Sequence, residues 1–123
     1  MKLSTARVFV RDLEAAHAFY RDTLGLKLHA GSSALGYCVF ESGGATLVVE
    51  SVPEDAPADE QCLVGRFTGL SFTVESVAAT YDRLTSRNVS FSGEPEAQSW
   101  GGVLATFKDP AGNELQLVQM NAG

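Results

Sequence analysis

Residues Val10 to Leu28 read V-R-D-L-E-A-A-H-A-F-Y-R-D-T-L-G-L-K-L, and Ala105 to Val118 read A-T-F-K-D-P-A-G-N-E-L-Q-L-V. The first stretch leaves an apolar strand and meets Asp12, whose side-chain oxygen can cap a helix. Leu13, Ala16, Phe19 or Tyr20, and Leu24 then recur at helical spacing. Gly25 suits the left-handed residue that closes a helix, and Leu26 to Ala30 resumes as a strand. The second stretch holds two strands joined by Asp109-Pro110-Ala111-Gly112-Asn113, where Pro fixes φ and Gly can take a positive one. Strand, helix and strand are predicted early in the chain, and a hairpin late in it.

Working outward, the chain repeats this pattern. Lys2 to Val10 and Arg66 to Val74 are both extended stretches. The second runs into Ser76, another N-cap, followed by Val77, Tyr81 and Leu84 at helical spacing and by Asn88 as the terminator. Short strands follow at Leu26 to Ala30 and Val89 to Ser92, then longer ones at Gly36 to Glu41 and Gly102 to Lys108. Turns at Ser42-Gly43-Gly44 and at Asp109 to Asn113 lead to final strands at Thr46 to Ser51 and Glu114 to Gln119. Each half is β-α-β-β-β, and the Pro- and acid-rich segment Val52 to Val64 joins them. A half of about 60 residues is marginal as an independent core. The expectation is one α+β domain over residues 1–123, with modules at 1–58 and 59–123.

Composition narrows the function. The chain has 123 residues, 45% hydrophobic and 20% charged, the balance of a globular domain. A net charge of −6 argues against nucleic acid and anionic membranes, and leans toward neutral or cationic small molecules. The opening residues Met1 to Arg7 lack the apolar core of a signal peptide, and no run is long enough to span a bilayer. Cys38 and Cys62 share no metal or redox spacing, and Cys38 reads as a packing residue. A cytoplasmic protein is expected.

Strand alternation sorts the faces. Ala6, Val8 and Val10 form an apolar set opposite Thr5, Arg7 and Phe9. Leu70, Phe72 and Val74 oppose Gly69, Ser71 and Thr73; Leu115 and Leu117 oppose Glu114, Gln116 and Val118. Leu47 and Val49 oppose Val48 and Glu50. From alternation alone the polar sets are the solvated side of half-buried antiparallel sheets.

The two quoted stretches resemble the opening and closing segments of the vicinal oxygen chelate superfamily, which comprises glyoxalases, bleomycin-resistance proteins and extradiol dioxygenases. The resemblance covers nearly the whole chain. It implies two tandem βαβββ modules forming an open eight-stranded barrel-like cavity, lined by the polar faces. It also implies a homodimer. Metal-dependent members place ligands at four strand positions, which fall here on Thr5, Glu50, Gly69 and Gln116. Only Glu50 matches. Glycine offers no ligand, and neither His17 nor His29 occupies one of the four positions. A zinc-type site needs three strong donors, so no metal and no cofactor are expected.

The expected contacts to a small organic ligand are Thr5, Arg7, Phe9, Tyr37, Val48, Glu50, Ser71, Trp100 and Gln116. Arg7 and Glu50 are either an internal ion pair filling the barrel or a ligand contact. Trp100, before Gly101-Gly102, either stacks on a ligand at the cavity mouth or covers the rim. Two functions compete. One is metal-free binding of a small organic molecule, for sequestration or resistance. The other is a lyase or isomerase of the glyoxalase or dioxygenase type that uses Glu50, with or without a metal, as a general base in the metal-free case.

Overall fold

The computed structural model describes residues 1–121. They form two compact units: Met1–Arg66 with Pro110–Asn113, and Phe67–Asp109 with the residues after Asn113. The segment that sequence reading treats as a joint therefore belongs wholly to the first unit.

In the first unit, β1 (Thr5–Val10), β2 (Lys27–Ser32), β3 (Tyr37–Ser42) and β4 (Ala45–Ser51) build a sheet in the order β1-β4-β3-β2. β1 runs parallel to β4, and the other pairs are antiparallel. Helix α1 (Leu13–Ala18) starts where expected, with the Asp12 carboxylate accepting from the Ala15 amide at 3.1 Å. It does not continue as an α-helix. Phe19–Thr23 widens into a π turn, closed by the Leu24 amide on the Phe19 carbonyl at 2.9 Å. The wider turn leaves both Phe19 and Tyr20 buried, in edge-to-face contact, although only one fits the α-helical stripe. Leu13, Ala16 and Tyr20 close over Val8, Val10, Phe40, Leu47 and Val49, together the buried face of this unit.

The second unit has β5 (Phe67–Thr73), β6 (Ser90–Phe91), β7 (Glu96–Ala97), β8 (Val103–Lys108) and β9 (Glu114–Gln119). Their order is β5-β9-β8-β6, with β7 also pairing β8. Helix α3 (Val77–Ser86) is capped by the Ser76 hydroxyl and ends at Asn88, whose φ of 66° is the left-handed value the sequence implies. Val77 and Leu84 pack with Ala105, Phe107, Leu115 and Leu117 in the buried side of this unit. Strand β7 has no counterpart in the predicted pattern, being only two residues long.

Two irregularities shape the faces. His29 is an extra residue in β2, between the pairs Leu28–Phe40 and Ala30–Val39. In β5, Phe67 pairs with Glu114 but Ser71 with Gln116, so β5 carries two residues more than β9 over the same span. Gly69 sits inside that bulge at φ +74°, a conformation other residues take at a cost of about 1–2 kcal/mol.

Candidate functional site

The side of the first sheet away from α1 carries Thr5, Arg7 and Phe9 from β1, Val48 and Glu50 from β4, and Tyr37 from β3. Register fixes this: Arg7 lies beside Val48, Phe9 beside Glu50, and Tyr37 beside Glu50. Six of the sequence-predicted contacts thus share one face. The alternation that buries Val8, Val10, Leu47 and Val49 turns these residues the other way.

Arg7 and Glu50 form a two-pronged ion pair. The Nε of Arg7 donates to one carboxylate oxygen and Nη2 donates to the other, the second at 3.0 Å. The Arg7 guanidinium also lies 5.1 Å from the centre of the Phe9 ring. The Glu50 hydrogen bond, and then its charge, raise the Arg7 pKa further above an already high value. Arg7 stays cationic, and Glu50 has a cationic neighbour against both of its oxygens. The two residues do pair directly, but with side chains 59% and 26% exposed they border an open face and do not fill an interior.

Beside the pair opens a cavity of about 250 Å³, lined by Arg7, Phe9, Glu50, Val52, Pro53, Glu60 and Leu63 among others. Half of this wall comes from residues 52–63, where sequence reading saw only a connection. Helix α2 (Ala58–Gln61) forms there, and Gln61 ties the segment together. Its Nε2 donates to the carbonyls of Pro53, Glu54 and Ala56 at 2.7, 3.1 and 3.3 Å, while its Oε1 accepts from Arg11. Asn113 fixes the far end. Its Nδ2 donates to the Phe9 carbonyl at 2.8 Å, and its Oδ1 accepts from the Gly65 and Arg66 amides at 2.8 and 3.3 Å. Asn113 is fully buried, and 104 positions separate it from Phe9. No local pattern could reveal that contact.

In the second unit, Ser71, Gln116 and Thr106 line up across β5, β9 and β8. The Gln116 amide donates to the Thr106 hydroxyl at 3.2 Å. Gln116 and Thr106 border a cavity of about 220 Å³ with Ser92, Glu94, Glu96 and Gln98. Trp100 stands in the turn between β7 and β8 and lines neither cavity. Its indole lies against Gly102, where a Cβ would come within 1.9 Å of the ring. That close approach explains the glycine, and the ring remains 52% exposed.

The four strand positions that hold metal in vicinal oxygen chelate enzymes do not fit a metal here. The Thr5 hydroxyl bonds among Ser4 and Thr46, and both Glu50 oxygens face Arg7. Gly69 lacks a side chain and has a left-handed backbone; Gln116 is tied to Thr106. Among the described residues no three His, Cys, Asp or Glu side chains cluster as ligands would. His29 is exposed and lies 3.4 Å from Glu41. His17 is half-buried, with its ring 6.3 Å from Phe40. It lies one helical turn from Leu13 and Tyr20, so it shares the edge of their buried stripe.

The chain belongs to the Glyoxalase/Bleomycin resistance protein/Dioxygenase superfamily, whose model matches residues 2–117. It is 29% identical over 127 aligned positions to the uncharacterized protein YraH of Bacillus subtilis (strain 168), covering 98% of this chain and 99% of that one. A superfamily member from Sphaerobacter thermophilus DSM 20745 matches with a TM-score of 0.79 and 29% identity over 97% of each chain. TnmS3, an antibiotic binding protein from Streptomyces sp. CB03234, matches with a TM-score of 0.75 and 28% identity, over 97% of this chain and 95% of its own. Among the described residues no helix is long and apolar enough to cross a membrane.

Proposed function

We propose that the protein binds a small organic molecule without a metal, in a sequestering or resistance role, and that the first unit's cavity takes part. The observation that carries this is the Arg7–Glu50 pair set beside Phe9, Val52 and Leu63. Apolar walls with a few oriented polar groups are the usual make-up of a ligand pocket. The poor donor set at the four strand positions, and the likeness to an antibiotic binding protein, support binding over metal-dependent lyase or dioxygenase chemistry. Glu50 as a catalytic base is disfavoured, because both of its oxygens are engaged by Arg7.

The proposed contacts in the first unit are Thr5, Arg7, Phe9, Tyr37, Val48 and Glu50. In the second unit they are Ser71 and Gln116; Trp100, which lines neither cavity, is not among them. The setting that goes with this reading is cytoplasmic, as two free cysteines suit a reducing compartment.

A calorimetric panel of small aromatic compounds against EDTA-treated protein tests the reading. At least one compound should bind, Glu50→Gln should alter its affinity, and Phe9→Ala should cost about 2 kcal/mol if that ring is a true anchor. Binding that appears only after zinc, nickel, manganese or ferrous iron is added would overturn it. So would a one-to-one metal complex lost in Glu50→Ala.

A further inference from the structure

We infer that the first unit's cavity selects an organic cation, and that Glu60 receives its charge. This deepens the function proposed above and rests on it. Three charged side chains line the cavity: Arg7, Glu50 and Glu60. The first two answer each other through two hydrogen bonds, leaving their part of the wall with no net charge. The Glu60 carboxylate has no ion pair or side-chain hydrogen bond among the described residues. Its backbone is nevertheless held in place. The Glu60 amide reaches the Pro57 carbonyl at 3.0 Å, and the neighbouring Gln61 anchors the segment at three carbonyls. The wall therefore presents one unanswered negative charge, on a side chain whose backbone is held, in a lining shared with Phe9, Val52, Pro53 and Leu63.

Each ligand class meets that wall differently. An organic anion would face two carboxylates, with the one lining cation already engaged by Glu50. A neutral molecule gains the apolar contact and nothing from Glu60. A cation with a ring-sized body can lay the body against Phe9 and Leu63 and set its ammonium group near Glu60. Size agrees with this, since about 250 Å³ is below the roughly 300–1,000 Å³ of pockets that enclose a drug-sized molecule. The cavity suits a compact body of one or two fused rings with its charged substituent. Glu60 is exposed, so the selectivity it confers should be modest and should shrink as salt rises.

Three probes of one shape separate charge from shape: 1-naphthylmethylamine, 1-naphthylmethanol and 1-naphthoate. Their affinities are measured by calorimetry at low salt for the full chain, for Glu60→Gln, and for a Glu94→Gln/Glu96→Gln double variant. The amine is expected to bind about five-fold or more tighter than the alcohol, with the carboxylate weakest. Glu60→Gln should bring amine and alcohol within two-fold of each other and leave the alcohol's affinity unchanged. The double variant should keep the preference. Equal binding of all three probes by the full chain would overturn the charge selectivity while leaving small-molecule binding intact. A preference that survives Glu60→Gln, or is lost only in the double variant, would overturn the assignment to Glu60. Absence of binding by every probe would count against the inference and the binding function together.

Discussion

Cys38 and Cys62 differ in nothing the sequence displays except their neighbours, yet their surroundings are opposite. Cys38 is fully buried between β2 and β4, while Cys62 is exposed at the end of α2. Burial raises the Cys38 thiol pKa above its ordinary 9.0, because the thiolate would lose its water. In the unfolded chain this thiol ionises near pH 9, whereas in the folded chain it holds its proton to higher pH. Its contribution to stability is therefore complete below about pH 9 and falls as pH rises toward the folded value. The loss is at most about 1.4 kcal/mol per pH unit. Urea denaturation at pH 8 and pH 10 should show a larger drop for the wild type than for Cys38→Val. Equal drops would mean that the thiol is not shielded. Gly69 illustrates the same scale differently. The sequence shows it cannot ligate, but only the bulge and its φ of +74° show why a ligand cannot simply be restored there.

At the scale of elements, the wall contributed by residues 52–63 depends on two amides, Gln61 within it and Asn113 at its far end. Asn113→Ala would strand the Phe9 carbonyl and the Gly65 and Arg66 amides. With about 1–3 kcal/mol for each buried polar group left unpaired, and water able to reach some of them, the cost should be about 2–4 kcal/mol by urea denaturation. A change below 0.5 kcal/mol, roughly what a featureless surface position gives, would show that the segment is held otherwise. The regular elements were legible because their signals are local. Asp12 and Ser76 cap the helices that follow them. Alternation turned Arg7 with Phe9, and Glu50 with Val48, away from the helix-packed residues, while the resemblance joined the two strands into one face. What was not legible depended on distant partners. The π turn reflects packing of both Phe19 and Tyr20, and the cavity's second wall reflects Gln61 and Asn113. Glu60 and Leu63 could not be nominated from a stretch with no periodicity.

For the whole molecule, the resemblance also led us to expect a homodimer, which we retain as a proposal. Among the described residues, β2 ends its sheet without a further partner strand, and β5 likewise ends the other. Exposed edges of this kind are commonly paired or covered in stable proteins. Light scattering at micromolar concentration should give twice the 13.1 kDa chain mass, and a monomer would contradict it. Metal-free binding at the Arg7–Glu50 face can be read by amide chemical-shift mapping of EDTA-treated protein with 1-naphthylmethylamine. Saturable shifts grouped at Arg7, Phe9, Glu50 and Leu63 are expected, unchanged when zinc is added. Shifts that leave these residues untouched, or that require zinc, would contradict it.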